Sequence, residues 1–210
     1  MRTLTEERRQ AIITAAAELF QEIGYERASM DAIAKRVGGS KATLYNYFTS
    51  KEALFETIVR TYSANFMTEA AASLTEPGSE SRSLEQKLTR FGELMLQVLT
   101  GENPALQIYR VVVGEAGHSD IGTLFRESGI RQSMEKLAQV MDEAIKTGEL
   151  REGDPMFFAM QFGTLVKAET EILLFQRELP RFTPAQIKQM VRNGVKMFLY
   201  GALPRDGGKN

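Results

Sequence analysis

A chain of 210 residues, 43% hydrophobic and 25% charged, has the make-up of a globular protein and room for a small head joined to a larger body. No apolar run approaches the roughly 20 residues that span a bilayer, and the opening MRTLTEERRQ lacks the apolar core of a signal peptide, so no membrane partner is expected and the cytoplasm is the expected compartment. The absence of cysteine rules out disulfides, a thiolate zinc site and a thiol nucleophile, a single histidine (His118) argues against a histidine-rich metal centre, and no cofactor is expected.

Helix signals dominate from the start of the chain. Thr5 is placed to cap a first helix, with Glu6 and Glu7 at its positive end. Ile12, Ala16, Leu19, Phe20 and Ile23 then recur at helical spacing, and Gly24 provides a stop. Ser29 caps a short second helix with Asp31 in its first turn and Ile33, Ala34 and Val37 facing inward, ended by Gly38-Gly39. Ser40 caps a third helix through about Tyr47, and Ser50 starts a fourth that carries Leu54, Phe55, Ile58, Tyr62 and Phe66.

The stretch Thr75-Glu76-Pro77-Gly78-Ser79-Glu80-Ser81 reads as a loop. Ser83 with Gln86, and Thr183 with Gln186 beside Pro184, match capping boxes, while Asn103-Pro104 and Asp154-Pro155 are cap-plus-proline helix starts. Helices are expected near 83–100, 104–115, 120–147, 155–177 and 184–201. The expected fold is therefore all-α. A three-helix head over residues 1–50 and a helical bundle over 51–210 are expected, with helix 51–74 connecting the two.

The net charge of −1 carries no nucleic-acid signal, but its distribution does. Between Arg27 and Lys51 the cations are Arg27, Lys35, Arg36, Lys41 and Lys51, against Asp31 as the sole anion. A phosphate backbone needs a basic face, not a basic protein. The same stretch, SMDAIAKRVGGSKATLYNYFTSK, sets two short helices about a glycine turn, the pattern of a helix-turn-helix whose second helix enters a major groove. Lys41 and Lys51 each stand at a helix start, where a cation is mildly unfavourable, so a phosphate there would turn a local defect into a gain.

At these residues the chain resembles the DNA-binding head of the TetR/AcrR family of bacterial regulators. The likeness is carried by Ala15-Ala16-Ala17-Glu18-Leu19-Phe20, Gly24-Tyr25, Ala32-Ile33-Ala34, Val37-Gly38, Ser40-Lys41-Ala42-Thr43-Leu44-Tyr45, Tyr47-Phe48 and Lys51-Glu52-Ala53-Leu54. It implies phosphate contacts at Ser29, Tyr47 and Lys51, and base-edge contacts from Lys41, Ala42, Thr43 and Asn46. On chemistry, Lys41 would donate to guanine, Thr43 would meet a thymine methyl and Asn46 would pair with adenine. Tyr45 would pack on a sugar or lean toward a base. Gly39 stands where the family more often carries a small apolar residue such as valine, and a glycine there is expected to loosen the turn.

Beyond the head, Arg110-Val111-Val112-Val113-Gly114-Glu115-Ala116, Ile121, Leu124-Phe125 and Gly148-Glu149-Leu150-Arg151 resemble an AcrR-type subgroup. The family's layout implies a homodimer formed by the last two long helices, a palindromic operator in double-stranded DNA, repression, and release by an apolar or amphipathic small molecule. The expected dimer face is Phe158, Phe162, Leu165, Ile187, Met190, Val191, Gly194, Val195 and Phe198, a broad apolar strip with Gly163 and Gly194 permitting close approach. Phe91, Met95, Tyr109, Val113, Met134, Met141, Met160 and Gln161 are the expected lining of an effector pocket. An enzyme is not expected, since no nucleophile–base pair, compelling carboxylate pair, metal cluster or glycine-rich phosphate loop is present. The alternative is a ligand-independent DNA-binding protein of the same fold that acts through protein partners.

Overall fold

The computed structural model describes residues 5–99, 105–176, 178 and 180–203, and their regular structure is helical throughout. Helices α1 (Glu6–Ile23), α2 (Met30–Val37), α3 (Lys41–Tyr45) and α4 (Lys51–Ala72) come first. They begin where the caps say they should: the hydroxyls of Thr5, Ser29 and Ser40 accept the backbone N–H groups of Arg8, Ala32 and Thr43. Helix α3 is shorter than the sequence suggests, ending at Tyr45 rather than Tyr47.

Helices α5 (Leu84–Leu96), α6 (Ala105–Glu115), α7 (Ile121–Phe125), α8 (Arg131–Lys146), α9 (Pro155–Lys167) and α10 (Pro184–Ala202) follow. Both capping boxes form, at Ser83 with Gln86 and at Thr183 with Gln186. The Asn103-Pro104 start, the end points near 100 and 177, and the side chain of Phe66 lie outside the described residues.

Two expected helices are broken. The 120–147 segment divides at a π-helical turn over Arg126–Ile130, where Gly129 at φ 126° takes a conformation unsuited to an α-helix. The 155–177 segment tightens into 3-10 turns after Lys167, where the Thr170 hydroxyl donates to the Lys167 carbonyl at 2.8 Å and competes locally with the α ladder.

The chain forms two compact units, one of Met1–Ala64 with Pro104–Ser128 and the other of Asn65–Asn103 with Gly129–Asn210. The boundary expected at residue 50 is thus not where the contacts divide. In the first unit α6 packs on α1, so the head's core includes Ile108 and Val112 beside Ile12, Phe20, Ile33, Leu44 and Phe48. The rings of Phe20, Tyr25 and Phe55 meet at centroid distances of 4.6 to 5.4 Å and join α1 to α4. An apolar stripe on α6 announces burial; it does not announce the neighbour.

In the second unit α9 packs against α8 and α10, and α10 against α5. Phe158 and Phe162 of α9 set their rings edge-on to Phe198 of α10 at 6.0 and 5.5 Å. After α8, the Arg151 backbone N–H donates to the Ala202 carbonyl at 2.9 Å and its Nε to that of Gly201 at 3.1 Å, which satisfies the end of α10 with a cation.

This packing corrects the expected dimer face. Phe158, Phe162, Ile187, Val191, Gly194, Val195 and Phe198 are buried in the chain's own core, and Leu165 and Met190 are half-buried. The close approach at Gly194 is likewise internal: a Cβ there would lie 2.8 Å from the Val166 Cα of α9. At Gly163 a Cβ would meet only the Met134 Cε at 3.8 Å, an ordinary contact. Both faces of α9 are apolar, so its pattern does not distinguish the inner face from the outer.

Gly194→Ala is expected to destabilise the protein by about 1–3 kcal/mol through overpacking against backbone. Gly163→Ala should be near neutral. Urea unfolding of the two variants, compared at equal m-value, checks the contrast; equal midpoints would show that α9 and α10 separate freely at Gly194.

Candidate nucleic-acid interface

The helix-turn-helix is built from α2, a tight turn and α3. Gly38 takes the left-handed conformation at φ 71°, ψ 48°, and its N–H closes the end of α2 on the Ala34 and Lys35 carbonyls. The Gly39 N–H also reaches the Ala34 carbonyl, at 2.9 Å. Ser40 then caps α3, its Oγ accepting the Thr43 N–H at 3.1 Å and lying 2.9 Å from the Thr43 hydroxyl. The turn is therefore closed by hydrogen bonds on both sides, and the loosening expected from Gly39 is absent. Of the two glycines in this turn, Gly38 alone has a positive φ.

Leu44 and Phe48 are buried and hold α3 to the head. Lys41, Ala42, Tyr45 and Asn46 stay exposed, with Tyr45 at 42%, while Thr43 and Tyr47 are half-buried. Among the described residues the Asn46 amide has no hydrogen-bond partner, so its donor and acceptor are both open. The Thr43 hydroxyl is occupied by Ser40, which leaves its methyl as the group to present. Ser29 lies at the start of α2 with its hydroxyl engaged as the cap.

The cations of this region are less free than their count suggests. Arg36 makes a two-pronged ion pair with Glu22, and Arg27 donates through Nε to the Ile23 carbonyl at 2.8 Å, at the end of α1. Lys41 is 3.2 Å from Asp31, an exposed pair of the kind worth about 0–1 kcal/mol, weak enough to yield to a stronger anion. Lys51 donates to the Tyr25 carbonyl at 3.1 Å and stands 4.1 Å over the Tyr25 ring. One of its three N–H groups is so occupied, and two remain. The Tyr47 hydroxyl accepts the Thr5 N–H at 3.0 Å, which leaves its proton to donate.

Beside Lys51, the Tyr25 hydroxyl donates to Glu52 Oε1 at 3.3 Å. Burial, and then the Glu52 charge, push the Tyr25 phenol well above its ordinary value, so it stays a neutral donor. The Glu52 carboxyl is held below the usual carboxylate range by its own backbone N–H, then by the Ser50 hydroxyl, with smaller help from Tyr25 and Lys51.

Residues 5, 8 and 9 also reach this site, although nothing in their local pattern marks them. Thr5 binds Tyr47, Arg8 Nη1 donates to the Val37 carbonyl at 3.1 Å, and the Arg9 guanidinium lies 5.3 Å from the Phe48 ring centroid. The residues expected to line an effector pocket differ in exposure. Phe91, Met95 and Met141 are buried, at 0–2% exposure. Tyr109 and Met134 are half-buried, and Val113, Met160 and Gln161 face outward. Met160 and Gln161 border instead an open groove of about 510 Å³ with Arg151, Phe157, Thr164 and Met197.

A capped helix-turn-helix that presents a short exposed second helix, on an otherwise helical chain, defines a DNA-binding transcriptional regulator. The chain belongs to the TetR family: the model for bacterial regulatory proteins of the tetR family matches residues 12–58, and that for the C-terminal domain of AefR-like transcriptional repressors matches 86–201. It is 29% identical over 154 residues to the nucleoid occlusion factor SlmA of Haemophilus influenzae strain PittGG. That match takes in 72% of this chain and spans 66% of the relative's length, just under two thirds. Among solved structures, the flavonoid-responsive regulator FrrA is 34% identical with a TM-score of 0.71, over 96% of this chain and all of that one (100%). A TetR-family regulator from Mesorhizobium loti shares the fold at TM-score 0.78 and 24% identity, over 97% of this chain and 100% of the other. Family and fold are those of regulators, not enzymes, and no helix among the described residues is long and apolar enough to cross a membrane.

Glu52 gives a pH test. A carboxyl whose folded pKa is depressed contributes stability above its unfolded pKa, and that contribution is lost as pH falls through the folded value. Glu52→Gln should therefore lower the urea midpoint at pH 7 and lose most of its effect at about pH 3, below the ordinary range. An effect of equal size at both pH values would remove the charged carboxylate from the account.

Proposed function

We propose that the protein is a repressor that binds a palindromic operator as a homodimer in the cytoplasm, where its DNA target lies. The observation that carries the DNA reading is the exposed face of α3, where Lys41, Ala42, Tyr45 and Asn46 stand clear on a helix fixed at both ends. Lys41 and Asn46 supply donors suited to guanine and adenine edges, and the Thr43 methyl suits thymine. Tyr47, with its free proton, Lys51, with two remaining donors, and the α2 start at Ser29 are assigned to phosphates. The likeness of residues 86–201 to AefR-like repressors supports repression over activation.

Dimerisation is supported by the outer face of the last two helices. Phe157, Met160, Met197 and Tyr200 are each more than half exposed, at 55%, 57%, 63% and 71%. So much large apolar surface along one strip is unusual for a monomer. A second copy would cover it, and two α3 helices about 34 Å apart would read successive major grooves of an inverted repeat. Release by an apolar or amphipathic molecule is assigned by likeness to the flavonoid-responsive FrrA. By linkage, DNA must then weaken effector binding by the same factor that effector weakens DNA binding.

A second reading has its own support. The SlmA relative is a nucleoid occlusion factor, which suits a DNA-bound protein working through protein contacts without an effector. Selection of bound DNA from a random pool by the full chain is the primary test, with an inverted repeat as the expected product. On that site, Tyr47→Phe and Lys51→Ala should weaken binding regardless of sequence, and Lys51→Ala should lower the salt slope by about one. Met197→Glu should convert a dimer to a monomer in equilibrium sedimentation; a monomeric wild-type chain at micromolar concentration would defeat the dimer. Unsubstituted flavone that loosens the operator complex favours the first reading, and saturating flavone without effect favours the second.

A further inference from the structure

The first two turns of α1 grip the recognition helix at both of its ends. On the exit side, the Thr5 N–H donates to the Tyr47 hydroxyl at 3.0 Å and Arg9 lies over the Phe48 ring. On the entry side, Arg8 Nη1 donates to the carbonyl of Val37 at 3.1 Å. That carbonyl ends α2 and has no helical donor of its own, so the guanidinium supplies one. The second nitrogen, Nη2, lies over Gly39: a Cβ built there would sit 2.6 Å from it, far inside contact distance. Gly39 does not have a positive φ, so backbone conformation does not call for glycine at this position. The guanidinium occupies the space that a side chain there would take, so a larger residue must displace it.

We propose that Arg8 is a positioning residue for α3 and that Gly39 is its counterpart, the missing side chain that lets the guanidinium lie against the turn and hold it. The pair sets the angle at which α3 is presented, and through that angle it governs discrimination between bases. A side chain at 39 and the guanidinium in this position compete for the same space. A larger residue at 39 must push the guanidinium off the Val37 carbonyl, while the same residue is accommodated once Arg8 is truncated. The inference rests on α3 being the helix that reads base edges.

The test uses the full chain, its selected DNA site and single-base variants of that site, with binding followed by fluorescence anisotropy over a series of salt concentrations. Arg8→Ala is expected to reduce discrimination between the site and its variants by roughly tenfold, the scale of one charge-assisted hydrogen bond, with the salt slope unchanged. Gly39→Val should do the same. The double variant should be no worse than either single one, a failure of additivity that marks direct coupling. Arg8→Lys, which keeps the charge without the two-pronged fork, serves as a milder variant should the alanine variant lose helicity, and it should also lose discrimination. A salt slope lowered by about one with discrimination intact would make Arg8 a phosphate contact and overturn the proposal. Additive losses in the double variant would overturn it too. Asn46→Ala separates the two ideas: if it leaves discrimination intact, the assignment of α3 as the reading helix fails, whereas if it abolishes discrimination and Arg8→Ala does not, the positioning role fails alone.

Discussion

Helix α3 has five residues, too few to be stable as a helix in isolation, because nucleation fixes several residues for a single hydrogen bond. Its conformation has to be imposed from outside. The Ser40 cap and the left-handed Gly38 define its entry, the buried Leu44 and Phe48 hold its inner face, and the start of α1 binds the backbone before it and the ring after it. With both ends fixed, the exposed face of so short a helix becomes a definite geometric object. The contacts proposed to bases depend on that fixation, since hydrogen bonds to base edges weaken steeply with distance and angle.

Charge in the head is arranged as a set of weak internal pairings that a polyanion can displace. Lys41 with Asp31 is an exposed pair on two short helices, and Lys51 rests on a carbonyl and a ring. None of these holds its cation strongly enough to compete with a phosphate array. Arg36 is different, locked to Glu22 by two hydrogen bonds, and its work is structural. A near-neutral chain can thus present a locally basic face without carrying a surplus of free cations elsewhere.

In the second unit, an excess of apolar side chains serves two faces of the same helices. Phe158, Phe162 and Phe198 interlock within the chain, and Phe157, Met160, Met197 and Tyr200 stand outside on the same α9 and α10. A hydrophobic stripe one residue out of phase with the core leaves a helix with two apolar faces, and the outer one forms the wall of an open groove.

Much of this was legible in the chain itself. Caps and glycines are local chemistry, so the helix starts at Thr5, Ser29, Ser40, Ser83 and Thr183 follow from side-chain oxygens within hydrogen-bond reach of the next turn. The helix-turn-helix and the exposure of Lys41, Ala42, Tyr45 and Asn46 follow from the same short-range periodicity, helped by the family likeness, whereas Thr43 and Tyr47 are half-buried. What needed the tertiary structure were questions of partner. Which apolar face of α9 is turned inward, which unit α6 joins, and why residue 39 is glycine all depend on side chains distant in sequence. Arg8 lies 31 positions from Gly39, and no local pattern links them. Sequence by itself determined where helices begin and which short helix stands exposed, because those are decided within a few residues. Only the fold decided what presses against them, because a contact between distant residues exists only after the chain has closed on itself.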